Sequence, residues 1–124
     1  MSLTEELDNL HAAAGTGAVV ALTDLSSGIV LYARGDDGVT QEVFDDLCAA
    51  GCDAFDTTLG KSARAATGGA RPRQAIVATA QEIRLFLRAR PPATDLLCCA
   101  LPPQTDIVPL IEQAHKVMDI TSEA

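Results

Sequence analysis

Residues 40–59 read TQEVFDDLCAAGCDAFDTTL, and the fold turns on this stretch. Val43, Phe44, Leu47, Cys48, Gly51, Ala54, Phe55, Thr58 and Leu59 are apolar or small and recur at steps of three and four, the spacing of one side of an α-helix. Asp45, Asp46, Asp53 and Asp56 fall on the other side. Thr40 can cap the helix, and Glu42 in its first turn suits the positive end of the helix dipole. At about 100° per residue the apolar stripe is roughly 160° wide, whereas a helix laid on one sheet needs only about 100°. The extra width calls for a second apolar contact, made either by another helix of this chain or by a second subunit. The four aspartates line a face and do not converge on a pocket, so they read as a solvated face or as a docking surface for a basic partner.

Outward from this helix the chain divides cleanly. Ser2 and Glu5 form a capping box, and Leu3, Leu7 and Leu10 keep helical spacing, which predicts a helix over 3–13 ending at Gly15-Thr16-Gly17. Two short apolar runs, 18–23 and 29–33, joined by Asp24-Leu25-Ser26-Ser27-Gly28, read as a hairpin. Beyond the long helix, 74–79 and 83–88 read as strands, the second with one face well buried, because Arg84, Phe86 and Arg88 alternate with Ile83, Leu85 and Leu87. Residues 96–101, LLCCAL, are apolar throughout and predict a strand covered on both faces. Thr105 or Asp106 caps a last helix whose core positions are Ile107, Leu110, Ile111, Ala114, Val117 and Met118, with 121–124 expected to fray. The order is helix, strand, strand, helix, strand, strand, strand, helix. The short strand connections favour an antiparallel sheet with helices laid on it, an α+β domain spanning 1–124.

Composition narrows the function. The chain has 124 residues, 48% hydrophobic but only 3% aromatic, with 21 alanines, so its core is built of small aliphatics and gains from self-association. A net charge of -8 disfavours nucleic acid and anionic membrane surfaces as partners. The N-terminus lacks a secretory pattern and the longest apolar run, Leu96 to Leu101, falls far short of the roughly 20 residues of a membrane span, so the expected location is the cytoplasm. The one basic segment is 60–73, GKSARAATGGARPR, with Lys61, Arg64, Arg71 and Arg73. It reads as a helix end followed by a loop, or as a contact for an acidic partner.

No catalytic motif stands out. Gly60-Lys61-Ser62 resembles the end of a phosphate-binding loop, but Phe55 occupies the position of the first glycine and a helix, not a strand, precedes it. Cys48 and Cys52 share a helix side, whereas Cys98 and Cys99 point to opposite faces of a strand, a poor arrangement for one metal ion, and the four are read as buried free thiols. The alternative is a thiol- or metal-dependent enzyme using Cys48, Cys52, Cys98 and Cys99, with Cys99 and His115 as one nucleophile pair to consider. No cofactor or metal is expected.

The element order, the hairpin Gly17–Ala33, the long helix Val43–Leu59, the strands Ile76-Val77 and Ile83–Leu87, and the closing helix Ile107–Met118 resemble the roadblock (dynein light chain) family. That resemblance implies a profilin-like, five-stranded antiparallel sheet with the second helix on one face and the terminal helices on the other. It implies a homodimer joined by the second helices and third strands, with Val43, Phe44, Leu47, Cys48, Gly51, Phe55, Ile76 and Val77 at the contact. A charge placed at Val43 or Phe55 is then expected to separate the subunits. It also implies a non-enzymatic adaptor, in bacteria a partner or regulator of a small Ras-like GTPase, with Asp45, Asp46, Asp53, Asp56, Lys61 and Arg64 as candidate partner contacts. A secretion-chaperone-like dimer is a further alternative, although there the long helix follows the third strand, and here it follows the second.

Overall fold

Side chains on successive strand residues point to opposite faces, so a strand that is apolar at every position needs cover on both. In the computed structural model, which describes residues 2–56, 73–90 and 93–123, the strand Asp95–Leu101 receives it. The elements are α1 (Leu3–Ala14), β1 (Val19–Asp24), β2 (Val30–Arg34), α2 (Gln41–Asp56), β3 (Gln74–Ala78), β4 (Ile83–Arg88), β5 (Asp95–Leu101) and α3 (Ile107–Glu123). The five strands form one sheet in the order β2-β1-β5-β4-β3, with every neighbouring pair antiparallel.

Two apolar layers result. On one face Val19 and Ala21 of β1, Phe86 of β4, and Leu96 and Cys98 of β5 meet Phe44, Leu47, Cys48 and Phe55 of α2. On the other, Val20, Leu22, Leu85, Leu87, Leu97, Cys99 and Leu101 meet Leu7 and Leu10 of α1 and Leu110, Ala114, Val117 and Met118 of α3. All three phenylalanines lie in the α2 layer, and the opposite layer is almost wholly aliphatic. β4 therefore departs from expectation, because Phe86 is only 1% exposed and both faces of the strand are covered.

Local chemistry sets the ends of the elements. The Ser2 hydroxyl accepts from the Glu5 amide at 3.2 Å, and α1 stops at Gly15, whose φ of 86° suits a residue without Cβ. The Asp106 carboxylate accepts from the Val108 amide at 3.2 Å and opens α3. The expected fraying at Thr121 does not occur: α3 runs to Glu123, and the buried Thr121 hydroxyl donates to the Met118 carbonyl at 2.8 Å.

β2 begins one residue later than expected and carries a bulge. Thr23 pairs with Val30 and Leu22 with Tyr32, leaving Leu31 unpaired. The extra residue sends Val30 towards the α2 layer and Tyr32 towards the opposite one. Asp24 ties this hairpin to the loop before β5. Its carboxylate accepts from the hydroxyls of Thr94 (2.5 Å), Ser27 (2.9 Å) and Ser26 (2.9 Å), which hold it near a pKa of about 2, with Thr94 contributing most.

α2 lies close on the sheet because of Gly51. A Cβ there would stand 2.9 Å from the Cys98 sulfur, 2.9 Å from a Phe86 ring carbon and 3.0 Å from Leu96. Alanine favours a helix interior over glycine by up to about 1 kcal/mol, but overpacking a fully buried contact outweighs that. Gly51→Ala should lower stability by about 1–3 kcal/mol in urea denaturation. A carboxylate with a depressed folded-state pKa stabilises the fold above its unfolded value and loses that contribution as pH falls through the folded one. The difference in urea midpoint between wild type and Asp24→Asn should therefore be largest above about pH 4 and vanish towards about pH 2, and it should be small because the carboxylate is exposed.

Candidate functional site

α2 presents three sides. Phe44, Leu47, Cys48, Gly51 and Phe55, expected at a contact between subunits, pack on this chain's own sheet, the four side chains keeping at most 9% exposure. Asp45, Asp46 and Asp53 are exposed on the outer side, where the Gln41 amide donates to Asp45 at 2.9 Å. Between these sides runs a flank of Val43, 45% exposed, with the half-buried Ala50 and Ala54. The side chain of Asp56, together with Thr58, Leu59, Lys61, Arg64, Arg71 and the Gly60-Lys61-Ser62 stretch, falls outside the described residues.

That flank faces an open part of the sheet. α2 lies chiefly over β5, β1 and β2. In the β3–β4 register Ala75 pairs with Phe86 and Val77 with Arg84, so Ala75 and Val77 share the α2 face. Val77 is 42% exposed there, and Ile76 is 41% exposed on the opposite face. Between Val43 and Arg84 is an open cleft of about 180 Å³, whose floor includes Val19, Leu47 and Ala100. At its rim Arg84 pairs with Glu82 at 2.7 Å, while Arg88 stands over the Phe55 ring at 5.5 Å. β3 is the outermost strand on this side, regular over five residues, so its outer backbone groups have no strand beyond them among the described residues.

The thiols and histidines are placed differently. Cys98 shares a side-chain hydrogen bond with Cys48 in the α2 layer, and that bond together with burial pushes the Cys98 thiol far above its ordinary range. Cys99 lies in the opposite layer, where burial pushes it up to about 12. His115 Nε2 lies 3.0 Å from the Gln74 side-chain oxygen and His11 Nε2 3.0 Å from the Ala18 carbonyl. No group of three or more His, Cys, Asp or Glu among the described residues is arranged to hold a metal ion. No helix among them is long and apolar enough to cross a membrane.

The sequence reading missed Ala50, which completes the flank with Val43 and Ala54. The signal was there, since the three are spaced by seven and four residues. It was hidden because alanine is so common in this chain. Arg84 at the cleft rim was read only as the polar side of a strand.

This architecture matches the roadblock fold. The chain superposes on the roadblock/LC7 domain from Streptomyces avermitilis with a TM-score of 0.79 and 17% identity, covering 99% of this chain and 97% of that one. It matches MglB of Myxococcus xanthus with a TM-score of 0.75 and 13% identity over 98% and 92% of the two chains. It matches the gliding protein MglB of Thermus thermophilus with 0.76 and 15% over 98% and 86%. No protein-family model matches the chain, and no curated protein matches its sequence. The likeness is one of fold.

Proposed function

We propose that this protein is a non-enzymatic, homodimeric interaction module whose outer acidic face receives a protein partner, a small Ras-like GTPase being the favoured candidate. The observation that carries the dimer is the uncovered end of the sheet beside α2. Val43, Ala50 and Ala54 on the helix and Ala75 and Val77 on β3 are partly exposed on this face with Arg84 and Arg88 of β4 between them, and the second copy's α2 supplies what one helix is too narrow to cover. The two sheet edges support the same choice. β2 is bulged at Leu31, which blunts an edge against pairing, whereas β3 is regular and carries the exposed Ile76 and Val77. A solved structure of similar fold is described as MglB with a tetrameric arrangement, at 14% identity and a TM-score of 0.76, which supports self-association as a habit of this fold.

In this dimer Phe44, Leu47, Cys48, Gly51 and Phe55 act from behind, as the packing that holds α2 in place. Asp45, Asp46 and Asp53 remain exposed on the outer side. Asp56, Lys61 and Arg64 belong to the same proposed contact. Their charge suits a partner with a basic patch beside an acidic one, and charges at the rim of a contact act mainly on the rate of association.

Light scattering at micromolar concentration should give twice the chain mass of 12.9 kDa, and a strict monomer would overturn the reading. Leaving an unpaired carboxylate in a desolvated contact costs several kcal/mol, so Val43→Asp and Val77→Asp should each weaken the dimer roughly 100-fold or more while the circular dichroism stays native. Phe55→Asp is not a usable probe, because Phe55 lies in the chain's own core and a carboxylate there would destabilise the fold together with any contact. For the partner, a small Ras-like GTPase from the same organism should be retained in a pull-down, and its GTP hydrolysis should change on addition of the protein. Asp46→Lys should slow its association by about threefold to tenfold at low salt and leave the dimer intact.

A further inference from the structure

Three sulfurs gather where α2 crosses β5. Cys48 and Cys98 share a hydrogen bond across the helix–sheet boundary, and Cys52 is half-buried one turn further along the helix. Gly51 makes the approach possible, since a Cβ there would stand 2.9 Å from the Cys98 sulfur. A disulfide needs Cα atoms within about 7 Å and Cβ atoms about 3.8 Å apart, a closeness that a helix without a side chain at the contact can supply. Cys48 is also reachable, although Cys98 behind it is fully buried. A cleft of about 320 Å³ opens between the start of β2 and α2, walled by Gly28, Val30 and Ala49, with Cys48 and Cys52 in its lining. It lies on the opposite flank of α2 from Val43, so the proposed dimer leaves it open.

We propose that Cys48 and Cys98 are a reversible oxidation site that a small, uncharged hydroperoxide converts to an intramolecular disulfide. The cleft selects the oxidant. Asp45 and Asp53 in its lining repel anions, while a neutral peroxide passes them. The Cys48 sulfur, as thiolate, attacks one peroxide oxygen, the O–O bond breaks, and Cys48 becomes a sulfenic acid as the other oxygen leaves protonated as water or an alcohol. Cys98 sulfur then attacks the Cys48 sulfur, the S–O bond breaks, and the departing hydroxide takes the Cys98 proton as water. Two thiols lose two electrons in all, and the hydroperoxide gains them. The roles follow from access. Cys48 lines the cleft and meets the peroxide, and its hydrogen bond with Cys98 favours the thiolate there, while Cys98, fully buried beside it, resolves the sulfenic acid. Cys99, buried in the other layer, takes no part.

The test treats the reduced full chain with hydrogen peroxide and maps its peptides without reduction. The expected product has lost two hydrogens, contains a Cys48–Cys98 linked peptide, and returns to the starting mass with dithiothreitol. Because the bond closes a long loop and ties α2 to β5, the Tm should rise by roughly 5–15 °C and fall back on reduction. Cys52→Ser should behave as wild type, and Cys48→Ser and Cys98→Ser should give no intramolecular bond. Should either of these fold poorly, the wild-type peptide map decides alone. An unchanged mass, a Cys48–Cys52 bond, a link between two copies, or irreversible oxidation of Cys48 without a bond would each overturn the proposal.

Discussion

Everything in this fold answers to β5. A strand without a polar side chain from Leu96 to Leu101 can sit neither at a sheet edge nor beneath a single layer of helices without exposing apolar surface worth roughly 1.5–3 kcal/mol for each large residue. It must be hydrogen-bonded on both edges and covered on both faces. β1 and β4 take the edges, α2 takes one face, and α1 with α3 takes the other. The hairpin from the start of the chain and the hairpin from its second half are thereby joined through a strand near the end. Asp24 and Thr94, distant in sequence, are bonded where that join closes.

Local features of the fold were legible in the sequence, and the joins between them were not. The Ser2 cap of α1, the strand Ile83–Arg88, the double cover of β5 and the core stripe of α3 all follow from periodicities of two or 3.6 residues and from cap chemistry, which depend only on near neighbours. The pairing of β1 with β5 does not, because nothing local in Val19–Asp24 tells which distant strand lies beside it. Nor does the bulge at Leu31, where a run that looks uniformly apolar as far as Ala33 leaves Ile29 59% and Leu31 55% exposed. Thr121 looked like part of a fraying tail because a hydroxyl is polar by composition, and only its bond to Met118 removes that penalty.

The candidate site was half legible for a related reason. The width of the apolar stripe on α2 is a true feature of the helix, but it does not say which part of the stripe faces the sheet. The structure spends the large members, Phe44, Leu47 and Phe55, with Cys48 and Gly51, on this chain's own core and leaves Ala54, with Val43, at the flank. Small side chains are what a close helix pair requires, and they are hard to notice in a chain with 21 alanines. The scarcity of aromatics reads differently as well. With every phenylalanine in the α2 layer, this face carries the bulky packing, while leucine, valine and methionine suffice where two helices share the cover.

The bulge in β2 also decides where growth of the sheet stops. A sheet with two regular edges can add copies head to tail without limit, which is the geometry of fibres. Here one end is irregular and the other is straight, so copies that meet edge to edge do so straight end to straight end, about a twofold axis. In the proposed dimer that meeting uses up the one regular outer strand among the described residues. The unpaired Leu31 at the far side of the sheet would thus keep the proposed dimer finite, its ten strands ending in an irregular strand on each side.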